Sequence, residues 1–113
     1  MKTKSQKMLD KHIDFFTREL KSIAINDKVE VKTFYNPNTE ILEICSFYYE
    51  ITVISTVKSK QILANTSNLN MFANFVYNGI KNELIEYFEY IENEQKKEVE
   101  IDERWEFVDL GSM

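Results

Sequence analysis

The sequence predicts an α+β fold: an N-terminal helix, a three- to four-stranded antiparallel sheet, a long amphipathic helix packed on the sheet, and an acidic C-terminal segment. Three observations predict it. Apolar residues recur at helical spacing up to Ala24, alternate with a period of two from Val29, and return to helical spacing after Leu69, and these periods distinguish helix from strand. The only proline sits in Asn36-Pro37-Asn38-Thr39, between two alternating runs. Proline presets φ and asparagine tolerates left-handed geometry, so this stretch reads as a hairpin turn. Finally, two glycines and one proline among 113 residues leave little material for long loops. A chain of this length buries enough surface for one core, so residues 1–113 are expected to form a single small domain.

The first helix is predicted over Lys7–Ala24, where Leu9, Ile13, Phe16, Leu20 and Ile23 fall on one stripe. The opposite face carries Lys7, Lys11, Asp14, Arg18 and Lys21, a composition usual for a solvated face. Val29, Val31, Thr33 and Tyr35 then alternate with Lys28, Glu30 and Lys32, as in a half-buried strand. Ile41–Phe47 is the return strand and Glu50–Val57 a third, rich in β-branched residues that suit a pleated surface. A short fourth strand is predicted at Gln61–Ala64. Asn65-Thr66-Ser67-Asn68 supplies capping residues for the long helix, which starts near Asn68.

Along that helix Leu69, Ala73, Val76, Ile80, Leu84, Tyr87, Phe88 and Ile91 share one arc and are expected to cover a face of the sheet. Gly79 is expected to let the helix approach the sheet closely. Past Lys96-Lys97 the pattern Val99, Ile101, Trp105, Phe107 suggests a last strand or extended piece that packs back.

Charge is distributed unevenly. The net charge is −5, yet residues 83–106 alone hold ten carboxylates against three basic residues, a local balance of −7. Glu83, Glu86, Glu89 and Glu92 follow one another at intervals of three, and Phe75 and Tyr90 fall on the same polar half of the helical wheel. Aromatic residues among charges are a usual composition for a protein-binding surface. Phe75, Glu83, Glu86, Glu89, Tyr90 and Glu92 are therefore the candidate partner-binding residues, and the partner is expected to be a protein with a basic surface.

Other classes find little support. One histidine, His12, and one cysteine, Cys45, cannot assemble the usual zinc ligand sets, and no nucleophile has a recognisable activating context. His12 is expected to flank the core and Cys45 to lie in it. Neither glycine, Gly79 or Gly111, sits in a phosphate-binding loop. No enzymatic activity, cofactor, metal or catalytic residue is expected. No run approaches the ~18 apolar residues of a membrane span, and a cytoplasmic location is the default.

The succession helix, three strands, helix is also that of double-stranded-RNA-binding domains. Those hold phosphates with a lysine cluster at the start of the second helix, where this chain reads Asn65-Thr-Ser-Asn-Leu-Asn-Met71 with no basic residue, so the likeness carries no function across. The acidic balance also argues against direct nucleic-acid binding. The expected function is thus a non-enzymatic protein-binding module. Its specific form is a phage or mobile-element inhibitor whose carboxylates mimic phosphates on a nucleic-acid-binding surface. The alternative is a nucleic-acid accessory protein using Lys2, Lys4, Lys7, Lys11, Arg18 and Lys21. Self-association through exposed aromatics or a sheet edge is the remaining expectation.

Overall fold

A computed structural model describes the backbone of residues 2–112 and the side chains of residues 2–94. Helix α1 spans Lys4–Asn26, three residues longer at its start than the apolar period implies. The cause is a capping box: the Thr3 hydroxyl accepts from the Gln6 amide at 3.2 Å, and the Gln6 side chain accepts from the Thr3 amide at 2.8 Å. Two backbone donors that a helix start leaves orphaned are satisfied in this way. At the other end the Lys28 amide donates to Ile25 and the Val29 amide to Ala24, with Lys28 at φ 60°. This is the paired-bond termination that usually employs glycine at the left-handed position.

Strands β1 (Glu30–Asn36), β2 (Ile41–Tyr48) and β3 (Ile51–Lys58) form an antiparallel sheet in the order β1-β2-β3. Asn36 pairs with Ile41, and between them the Asn36 side chain accepts from the Asn38 amide at 2.9 Å while Glu40 takes φ 58°. Tyr48 pairs with Ile51, so Tyr49 and Glu50 alone make the second turn, with Tyr49 at φ 55°. Such two-residue turns favour glycine or asparagine, which explains why no turn signal marks this one in the sequence.

The strand expected at Gln61–Ala64 is instead helical: α2 spans Ser59–Ala64. The Gln61 side chain accepts from the Lys58 amide at 2.9 Å, Ile62 turns fully into the core, and Lys, Gln, Leu and Ala are all good helix formers. A 3-10 turn, Thr66–Asn68, leads into α3, Leu69–Ser112. The last strand or extended piece expected past Lys97 is instead helical, since α3 continues to Ser112, and the expected packing of Trp105 and Phe107 against the body concerns side chains outside the described residues.

Helices α1 and α3 lie against each other and on the same side of the sheet. Their apolar stripes and the inward residues of the strands make one core, which includes Phe16, Leu20, Leu42, Ile44, Val53, Ile62, Ala73, Tyr77 and Ile80. Phe16 meets Phe72 with ring centroids 5.4 Å apart. The Ser46 hydroxyl is the only buried side-chain N or O atom among the described residues without a hydrogen-bond partner.

Three expectations are corrected here. The apolar stripe of α3 is buried through Leu84, but Tyr87, Phe88 and Ile91 are exposed. A strand of about eight residues spans roughly 26 Å, whereas the 44 residues of α3 make a helix of roughly 66 Å, so the helix outruns the sheet and its later apolar residues have no strand to cover. Cys45 is not in the core: Leu42, Ile44 and Ser46 point inward, so alternation along β2 sends Cys45 to the outer face, where it is half-buried. Gly79 does not approach the sheet, since a Cβ added there would meet nothing within 4 Å. Gly79→Ala is therefore expected to stabilise the protein by about 0.5–1 kcal/mol through helix propensity. The measurement is a higher urea midpoint at unchanged slope, and a lower midpoint would show that the backbone is needed bare at this point.

Candidate functional site

Residues three apart on an α-helix step back by about 60° per interval, so the row Glu83, Glu86, Glu89, Glu92 winds around α3 instead of running along one face. Glu83 and Glu92 consequently point to opposite sides of the helix. The surroundings follow this winding. Glu83 and Phe75 border a depression of about 430 Å³ against Ser55 of β3, whereas Glu89 and Glu92 border a groove of about 390 Å³ on the α1 side. Glu86 and Tyr90 border neither, although Tyr90 is exposed. The six predicted residues are thus divided between two places and open helix surface.

The α1-side groove forms where α3 passes the edge of the body. Val29, Tyr48, Leu84, Ile85 and Phe88 give it an apolar floor, and Asp27, Glu89 and Glu92 stand around it with Lys81 as the only cation among the described residues. Asp27 caps the end of α1 and is held in place from α3. It accepts a hydrogen bond from the Tyr77 hydroxyl at 2.7 Å, and Lys81 Nζ lies 3.4 Å from the same oxygen. The Tyr77 hydrogen bond, aided by the Lys81 charge against opposing desolvation, holds the Asp27 carboxyl below its ordinary range. Burial, followed by the hydrogen bond and charge of Asp27, pushes the Tyr77 hydroxyl well above its ordinary range. Lys81 is thereby engaged, while Glu89 and Glu92 pair with no cation among the described residues.

Asp27, Tyr48, Tyr77 and Lys81 were not singled out from the sequence as a site. The one local signal is that Tyr77 and Lys81 are four apart on a helix and so share a face. Asp27 lies fifty residues from Tyr77, a pairing that no local pattern encodes.

The Cys45 thiol is pushed up by desolvation first and then by the neighbouring Glu43 carboxylate, 3.6 Å away, whereas a reactive thiol requires the opposite shift. His12 is half-buried on α1 beside Lys11, Arg18 and the start of α3. Among the described residues no group of three or more His, Cys, Asp or Glu side chains is placed to hold a metal, and no helix is long and apolar enough to cross a membrane.

By class the chain is an α+β protein with two helices on one face of a three-stranded antiparallel sheet. Compared with known protein families, curated proteins and solved structures, it matches none.

Proposed function

We propose that the protein is a non-enzymatic protein-binding module whose long helix engages a basic surface of a partner protein. The observation that carries this reading is the α1-side groove, where Glu89 and Glu92, unpaired among the described residues, and the anchored Asp27 stand over an apolar floor. Such a site suits a lysine or arginine side chain, whose apolar stem lies on the floor while its cationic head meets the carboxylates. Exposed Tyr87, Phe88 and Tyr90 on the same stretch of helix add aromatic area of the kind enriched in interfaces. An inhibitor that occupies a nucleic-acid-binding surface is the specific form we propose. The winding of the carboxylates favours a few pointed contacts over mimicry of a straight phosphate row.

The test is capture of partners from a cell lysate by the wild type and by the Glu83→Gln, Glu86→Gln, Glu89→Gln, Glu92→Gln variant. The variant is expected to fold with stability within about 0.5 kcal/mol of wild type, as surface changes do, and to bind at least about tenfold more weakly. Glu89→Gln with Glu92→Gln should account for most of that loss, and raised salt should weaken the wild-type complex. Undiminished capture by the fourfold variant would remove the acidic helix from the function.

A basic alternative has one observation behind it: Lys11, His12 and Arg18 border a depression of about 590 Å³ beside the start of α3. Against it, Asp14 borders the same depression and Lys2 is already paired with Asp10. Retardation of DNA or RNA at low salt would favour this reading over the first.

A further inference from the structure

The face of the sheet turned away from the helices carries a set of apolar residues among the polar ones that a one-sided antiparallel sheet usually presents to water. Phe34 and Ile54 are exposed by 59% and 63%, and Ile41, Cys45 and Phe47 are half-buried beside them. In register these residues adjoin across the three strands: Lys32, Cys45 and Ile54 form one row, and Phe34, Glu43 and Thr56 the next.

The charges on this face differ in kind from those on α3. Glu30 and Glu43 are matched by Lys32 and Lys58, so the face is neutral although the chain carries −5. Lys32 illustrates the mixture, lying 3.9 Å from Glu30 and 5.8 Å from the centre of the Phe47 ring. A strongly basic or acidic partner gains nothing from such a surface. A second copy of the chain does, because a two-fold interface presents the same patch to itself, and a neutral patch of mixed sign avoids the repulsion that two acidic helices would meet.

We infer that this outer face is a homodimer interface in which two sheets pack face to face, with the helices outermost and the grooves beside α3 left free. Three strands of about eight residues offer a plan area of roughly 14 × 26 Å on each copy, less than a stable specific interface buries. The dimer is therefore weak and depends on concentration. Cys45 lies on the central strand near the middle of the face, and packed sheets lie about 10 Å apart. Two-fold pairing accordingly brings the two Cys45 thiols within reach of a short bis-maleimide.

The experiment is sedimentation velocity on the full chain from low to several hundred micromolar, paired with bis-maleimide cross-linking under the same conditions. Wild type is expected to move from 13.5 kDa towards twice that mass and to form a covalent dimer through Cys45. Ile54→Lys should raise the dissociation constant at least tenfold and remove the cross-link while leaving the circular dichroism spectrum unchanged. Phe34→Lys is the second variant should Ile54→Lys fail to fold. A monomer throughout the range would overturn the inference. So would a dimer that survives both substitutions or that yields no Cys45 cross-link, since its interface would then lie elsewhere.

Discussion

Phe16→Ala is expected to lower the free energy of unfolding by about 3–5 kcal/mol, the range for truncating a fully enclosed phenylalanine. Phe16 has no exposed surface, and its ring meets that of Phe72 across the contact between α1 and α3. Truncation removes both the burial and the ring contact, and it leaves a cavity that two helices fixed on the same sheet can close only in part. A protein of this size is stable by about 5–15 kcal/mol, so the loss is a large share of the total. The neighbouring residue is the control. Phe15 is 41% exposed, and Phe15→Ala should cost no more than about 1 kcal/mol. Urea unfolding of both variants separates the cases, and similar losses for the two would mean that the α1 stripe is not seated as described.

The orientation of α1 was legible because a helix repeats its buried stripe every three to four residues, and Phe16 and Leu20 lie on that stripe. The first hairpin was legible because Asn36-Pro37-Asn38 carries its own turn chemistry. Other features depend on contacts that the local pattern does not contain. Tyr49 takes a left-handed φ without glycine to announce it, so the second turn is visible only in the strand register. In β2, Cys45 and Ser46 exchange the places that polarity suggests, because Leu42 and Ile44 fix which alternation faces the helices. The six residues of α2 are too few for a period to be read, and a side-chain cap decides their conformation.

The candidate site follows the same division. That the later part of α3 is acidic and aromatic is plain in the sequence, but which carboxylates act together is not. The stripe Leu84, Tyr87, Phe88, Ile91 has the same spacing before and after the sheet ends, so nothing local distinguishes buried from exposed members. Only where α3 passes the end of α1 do Glu89 and Glu92 acquire Asp27 and an apolar floor. The groove and the uncovered sheet face differ in charge as well as in position. Under the two proposals one takes a cationic segment and the other a second copy, so the proposed dimer would display two grooves without blocking either.

Tyr77 is the side chain on which the shape of that groove depends, and its replacement should show two distinct effects. Tyr77 is 2% exposed, so Tyr77→Ala is expected to cost about 3–5 kcal/mol, as for other enclosed aromatics. Tyr77→Phe keeps the ring and removes only the hydroxyl that Asp27 accepts from, so its loss at neutral pH should be smaller and its signature should lie in the pH profile. Asp27 is held below its ordinary range in the folded state. Its contribution is therefore present above the unfolded value and is lost as pH falls through the folded one. Tyr77 is raised instead, so its contribution is complete below the ordinary tyrosine range near 10 and is lost as pH climbs above it, where the unfolded chain ionises and the folded one resists. Without the hydroxyl the alkaline loss due to this residue disappears. The acid loss also shrinks, because the largest cause of the Asp27 shift has gone and only Lys81 remains. Urea midpoints of wild type and Tyr77→Phe measured from acid to alkaline pH should converge at both extremes and differ most between them. Parallel profiles would mean that the hydroxyl and Asp27 do not meet, and that the end of α1 is not tied to α3 beside the groove.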